Sequence, residues 1–131
     1  MRYLLDTNVL GELFRGNPRI RETLSLVGLP NCVVSEISLA EIIYGANKGG
    51  ILRHFHEIEF VKQHFSILPI SPCLNDFGRI KYEMGKRGSG LDNFDLLIAA
   101  TAIASELTLV THNTKHFERI TGLTIIDWEQ D

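Results

Sequence analysis

The stretch whose reading decides the fold is Arg2-Tyr3-Leu4-Leu5-Asp6-Thr7-Asn8-Val9-Leu10. Arg2 to Leu5 is a short apolar run that stops at Asp6-Thr7-Asn8. Val9, Leu10, Leu13 and Phe14 then recur at helical spacing until Gly16. Strand followed at once by helix is the opening of an α/β unit. Outward from it, Asn17-Pro18 supplies an N-cap and first turn for a second helix that stops near Gly28 and Pro30. Cys32-Val33-Val34 reads as the next strand. Ser38 to Asn47 and Ile51 to Phe65, separated by Gly49-Gly50, read as two helices. Ile67 to Ile70 is extended, and Ser71-Pro72 opens a helix to about Lys86. Gly88-Ser89-Gly90 is a break. Asn93 or Asp92 caps a buried helix from about Phe94 to Glu106, and Leu107 to Thr111 and Leu123 to Ile126 are the last strands. Strands separated by helices call for an α/β sandwich with a mostly parallel central sheet flanked by helices, because parallel neighbours need crossover connections.

Composition agrees. The chain has 131 residues, 44% of them apolar and 22% charged, with a net charge of −3. This fits one domain spanning 1–131 with a sizeable core, and it excludes disordered, collagenous and disulfide-scaffold classes. No apolar run approaches the ~20 residues of a membrane span, and MRYLLDTN lacks the apolar region of a secretory signal, so a cytoplasmic protein without a membrane partner is expected. Cys32 and Cys73 are isolated and read as core residues. The slightly acidic balance argues against charge-driven coating of DNA, but it is compatible with an enzyme that holds nucleic acid through cations and a local basic rim.

In parallel folds ligands bind beyond the carboxyl ends of strands. Asp6 and Thr111-His112-Asn113 stand at such ends. Asp6, Glu41, Asp95 and Asp92 all lie just beyond strands or near helix starts, with Asn113 as a neutral oxygen donor. Each acid also has a structural reading: Asp6 as a cap, Glu41 in a Ser38-x-x-Glu41 capping box, Asp92 or Asp95 at a helix first turn. If Asp6, Glu41 and Asp95 converge, their repulsion raises their pKa values unless a divalent cation sits among them. Hard oxygens without Cys or clustered imidazole select Mg²⁺, with Mn²⁺ as substitute, over Zn²⁺. Such ions activate water against phosphodiesters, the carboxylates acting as ligands or as proton acceptor.

The strings Leu4-Leu5-Asp6-Thr7-Asn8, Ser38-Leu39-Ala40-Glu41-Ile42-Ile43-Tyr44-Gly45-Ala46, Asp95-Leu96-Leu97-Ile98-Ala99-Ala100-Thr101-Ala102 and Leu109-Val110-Thr111-His112-Asn113 resemble the PIN-domain family, and within it the VapC-type ribonuclease toxins. The resemblance runs from Tyr3 to about Trp128. It implies a PIN-like three-layer sandwich and a metal-dependent endoribonuclease with an RNA substrate. It also implies a cognate antitoxin whose C-terminal segment lies in a groove among the early helices, and a homodimer formed through helical surfaces. By position the catalytic and metal-binding acids are Asp6, Glu41 and Asp95, with Asp92 an extra acid near the site. Asn113 stands where many relatives carry a fourth Asp, and His116 where some carry an acid. One well-held Mg²⁺ is therefore expected in the absence of RNA, with Glu118 a substitute ligand. Thr7, Asn8 and Thr111 would hydrogen-bond the carboxylates.

Other features carry less. His54 and His56 are two apart on a helix and form no chelate. His112 and His116 have i, i+4 spacing but sit in what reads as a turn, so no zinc site is expected there. Lys81, Lys86 and Arg87 stand where they could clamp RNA, as do Arg15, Lys48 and Arg53, or they are solvated charge. Leu10, Leu13, Phe14, Ile42, Ile43, Tyr44, Phe55 and Phe60 exceed what small helices need to bury, so some should be exposed. The competing function is a degenerate PIN domain that binds metal or a partner without turnover. A phospho-acceptor domain built on Asp6 fits poorly, since Asn8 stands where a phosphatase wants a second Asp, and Ile126-Asp127-Trp128 where a receiver wants Lys.

Overall fold

The computed structural model describes residues 2–86, 88 and 91–130. Arg87 of the basic cluster, and Ser89 and Gly90 of the expected break, lie outside the described residues. The elements run β1 (Tyr3–Leu5), α1 (Thr7–Phe14), α2 (Pro18–Val27), β2 (Cys32–Ser35), α3 (Glu36–Gly49), α4 (Leu52–His64), β3 (Ser66–Leu68), α5 (Leu74–Lys86), α6 (Asn93–Ala104), β4 (Thr108–Val110), α7 (Thr114–Phe117) and β5 (Thr124–Ile126). The strands form one sheet in the order β3-β2-β1-β4-β5, and every pairing is parallel.

Successive strand side chains face opposite sides, which divides each apolar triplet between two cores. Leu4, Val33 and Leu109 pack with Ile80, Met84 and Ile98 of α5 and α6. Leu5, Val34 and Val110 pack with Leu10, Ile20 and Val61 of α1, α2 and α4. Both faces of the sheet are covered, which is why these strands read as continuous apolar runs rather than as alternating ones. The expected three-layer α/β sandwich is the observed architecture. In α6, Ala99, Ala100 and Ala102 are wholly buried, and their small side chains admit close approach of the helix to the core. Cys32 and Cys73 are buried and free, and burial pushes the Cys32 thiol up to about 11. Among the described residues no helix is long and apolar enough to cross a membrane.

Two local expectations are corrected. Helix α3 starts at Glu36, with the Ser35 hydroxyl accepting from the Ile37 N–H at 3.0 Å. Ser38 is therefore inside the helix, and Ser38-x-x-Glu41 is not a capping box. The segment after Asn113 forms the one-turn helix α7 rather than a plain turn.

Candidate active site

From β1 the sheet extends one way through β2 to β3 and the other way through β4 to β5, so the crevice at the carboxyl ends of β1 and β4 is a topological switch point. Asp6 follows β1 and Thr111 follows β4. They meet directly: the Thr111 hydroxyl donates to Asp6 Oδ2 at 2.8 Å. Asp6 Oδ1 accepts the Thr7 N–H at 2.8 Å, which makes Asp6 the N-cap of α1. The capping reading holds for this residue, and capping leaves it in the crevice, only 4% exposed.

Glu41 reaches the same place from α3. Thr7 Oγ1 lies 2.7 Å from Glu41 Oε1 and 2.9 Å from Ser38 Oγ. A threonine hydroxyl has one proton, which the carboxylate takes, so the buried Ser38 hydroxyl donates to Thr7. Ser38 was not foreseen as a site residue. Its signal was available, since Ser38 and Glu41 are three apart and share one helix face.

Asp95 arrives on the first turn of α6. Asp92 caps that helix, Oδ1 accepting the Asp95 N–H at 2.8 Å, and is itself exposed. Burial first, then repulsion from Asp92, Asp6 and Glu41, pushes the Asp95 carboxyl up to about 6, with His116 opposing. Burial also raises Asp6, against the hydrogen bonds from Thr111 and Thr7 and the charge of His116. Glu41 is raised by burial and, more weakly, by repulsion from Asp6 and Asp92, against the Thr7 hydrogen bond. The acids thus share one electrostatic field. His116 on α7 acts on Asp6 and Asp95, in keeping with its standing where some members of the resembled family carry an acid.

Among the described residues the only His, Cys, Asp or Glu group with three ligand atoms all within 4.8 Å of one another is His112, Asp127 and Glu129, so Asp6, Glu41 and Asp95 stand wider apart than that. Mg²⁺ keeps several waters and needs only one or two carboxylates, so an all-oxygen, partly desolvated, mutually repelling set fits it better than a closed cage would.

The remaining expected residues divide. Thr7 and Thr111 touch the carboxylates as expected. Asn8 instead accepts the His112 N–H through Oδ1 at 3.5 Å. Asn113 is exposed and acts through its backbone, its N–H donating to Thr111 Oγ1 at 3.0 Å. Glu118 is exposed at the end of α7. On the rim, Lys81 Nζ donates to Asn93 Oδ1 at 2.8 Å, next to Asp92, and Lys86 lies over the Tyr82 ring at 4.5 Å.

A cavity of about 560 Å³ opens from Thr7 and Glu41 along Phe14, Arg15 and Arg53. It shares Phe14, Arg53 and Glu57 with an apolar groove of about 800 Å³ between α1, α2 and α4, lined by Leu13, Leu24, Leu29 and Phe60 among others. The cavity beside Glu41 and the groove therefore adjoin at these three side chains.

A family model described as the PIN domain matches residues 3–123. Ribonuclease VapC1 of Haemophilus influenzae (strain R2866) is 35% identical over 133 residues, covering 98% of both chains. The crystal structure of VapBC2 from Rickettsia felis, bound to a DNA fragment from their promoter, aligns with a TM-score of 0.90 and 31% identity over 98% of this chain and 99% of that one. A toxin–antitoxin complex from Klebsiella pneumoniae aligns with a TM-score of 0.69 and 29% identity over 96% and 97% of the respective chains.

Proposed function

The chain belongs to the PIN-domain family, among the VapC ribonucleases, and from that premise we propose that it is a metal-dependent endoribonuclease cutting RNA phosphodiesters, the toxin of a toxin–antitoxin pair. The observation that carries this reading is the shared field of Asp6, Glu41 and Asp95, drawn from three distant parts of the chain into one crevice.

Asp6, Asp95 and Glu41 would hold the ion, Mg²⁺ or in its place Mn²⁺. When bound, such an ion supplies water activation at neutral pH and neutralises charge on the leaving oxygen. The chain's own residues do the orienting. Thr111 and the Thr7 N–H fix both oxygens of Asp6, and the Ser38–Thr7 pair fixes Glu41 Oε1. Glu41, half-buried and raised above the ordinary glutamate range, is the proton acceptor for the attacking water. Asn113, exposed and joined to the crevice through its backbone N–H, brings no fourth negative charge, in keeping with one tightly held ion without RNA. Lys81 stands on the rim where an RNA backbone would pass. Purified protein is expected to cut RNA with Mg²⁺ or Mn²⁺ and to stop in EDTA. Cleavage unchanged in EDTA would overturn the reading.

The groove between α1, α2 and α4 is where the antitoxin docks, an amphipathic segment laid in an apolar trough that adjoins the cavity beside Glu41. Ser25 is exposed in its lining and remote from the acids. Ser25→Trp is expected to leave cleavage intact while weakening neutralisation by co-expressed antitoxin at least tenfold. Equal neutralisation of parent and variant would move the antitoxin elsewhere. Leu74, Tyr82 and Phe94, exposed on α5 and α6, are assigned to a second copy in a homodimer. A toxin acting on cellular RNA places the protein in the cytoplasm.

A further inference from the structure

We propose that His112, Asp127 and Glu129 form a second metal site, separate from the acid crevice, that takes a borderline first-row dication such as Zn²⁺. His112 Nδ1 lies 3.1 Å from Asp127 Oδ2 and 3.2 Å from Glu129 Oε2, and the three donor atoms all fall within 4.8 Å of one another. A tetrahedral ion with bonds of ~2.0–2.2 Å holds its ligand atoms ~3.3–3.6 Å apart. Both histidine–carboxylate spacings come close to that range, so small side-chain shifts complete the fit.

The arrangement is poorly explained as hydrogen bonding alone. One ring nitrogen carries at most one proton, yet two carboxylate oxygens are aimed at it. A cation facing all three donors satisfies each. The other oxygen of each carboxylate is held away from His112: Asn17 Nδ2 donates to Glu129 Oε1 at 2.9 Å, and the Glu129 N–H donates to Asp127 Oδ1 at 2.8 Å. Arg19 Nη1 donates to the Glu129 carbonyl at 2.8 Å, which fixes the backbone there. Outer contacts of this kind orient ligands before an ion arrives. The Asp127 and Glu129 side chains are 8% and 19% exposed while that of His112 is 55% exposed, so the carboxylates form a floor and the imidazole side leaves room for water as a further ligand.

The donor set also selects the ion. An imidazole nitrogen beside two carboxylates suits Zn²⁺, Co²⁺ or Ni²⁺, whereas the all-oxygen crevice suits Mg²⁺. His112 was weighed in the sequence as a residue beyond a strand end and, for metal, as a partner of His116. The fold instead turns His116 toward Asp6 and Asp95 and gives His112 two acids from the tail beyond β5.

Trp128, the chain's single tryptophan, lies between the two acids, buried edge-on against Tyr3 at 5.4 Å between centroids, and so reports on the site. The full chain, in saturating Mg²⁺ to fill the crevice, is titrated with Zn²⁺ and separately with Co²⁺. One equivalent is expected, with altered Trp128 emission, visible Co²⁺ bands of a low-coordinate nitrogen–oxygen site, and a raised Tm. His112→Gln should weaken binding by ~10-fold or more, and His56→Gln, an exposed histidine elsewhere, should not. The same titration in Asp6→Asn/Asp95→Asn should still give one equivalent. Absence of Zn²⁺ binding at micromolar concentration, or binding unchanged by His112→Gln, would overturn the proposal.

Discussion

Asp6→Asn and Asp95→Asn are each expected to lower RNA cleavage by ~10³-fold or more at saturating Mg²⁺ while the protein stays folded. Asparagine keeps the shape of aspartate and removes the charge, so the substitution separates the crevice's electrostatics from its architecture. At position 6 the carbonyl oxygen can still accept the Thr7 N–H, and Asn ranks with Asp as an N-cap. What is lost is the second anionic oxygen, now held by Thr111. That pairing must turn around, with a cost of about 1 kcal/mol. At position 95 the stability effect has the opposite sign, because repulsion from Asp92, Asp6 and Glu41 is relieved. Single-turnover cleavage in saturating Mg²⁺ and thermal melts of the metal-free protein in EDTA measure the two quantities. Turnover within tenfold of the parent in both variants would remove these acids from the reaction. A parent chain that binds Mn²⁺ without cutting RNA would make the domain a binding module instead.

How much of this was legible in the sequence depends on range. Apolar triplets ending at polar residues announced β1, β2 and β4, because a sheet covered on both faces needs no polar alternation. Asp6 and Asp95 were legible because they stand just past a strand and in a helix's first turn, whereas Glu41, in the second turn of α3, joined them through the family resemblance. The start of α3 was misread for a physical reason: Ser35 is both the last residue of β2 and the cap of α3, so no turn residue marks the boundary. Ser38 then looked like the cap. The hydroxyl relay from Ser38 through Thr7 to Glu41 spans two elements whose relative position no local pattern encodes. The same is true of His112, Asp127 and Glu129, which meet only because the tail folds back over the turn between α1 and α2.

In protein stripped of metal, stability contributed by the crevice should fall as pH rises through about 4 to 6, and Mg²⁺ should reverse that loss. The folded Asp95 carboxyl titrates at about 6 against an ordinary 3.8. Between those values the folded chain binds more protons than the unfolded one, so its stability declines with rising pH. Below 3.8 both states are protonated and the contribution is fully present; above about 6 it is gone. Asp6 and Glu41 are raised in the same direction by burial and add to the trend. Asp95 is only half-buried, so after discounting for solvent screening the difference is about 1 kcal/mol. Other carboxylates act oppositely, as with Glu12, lowered by its hydrogen bonds to Arg15 and Asn17. The clean measurement is therefore the difference between the parent and Asp95→Asn, in EDTA, by chemical denaturation across pH. The variant is expected to be the more stable at pH 7, and the gap should close by pH 4. Saturating Mg²⁺ at pH 7 should invert the order, because only the parent keeps the full set of carboxylates to bind the ion. A variant less stable than the metal-free parent at pH 7 would mean that the Asp95 carboxylate gains more from its neighbours than they cost it, and the acids would not be confronting one another in a common crevice.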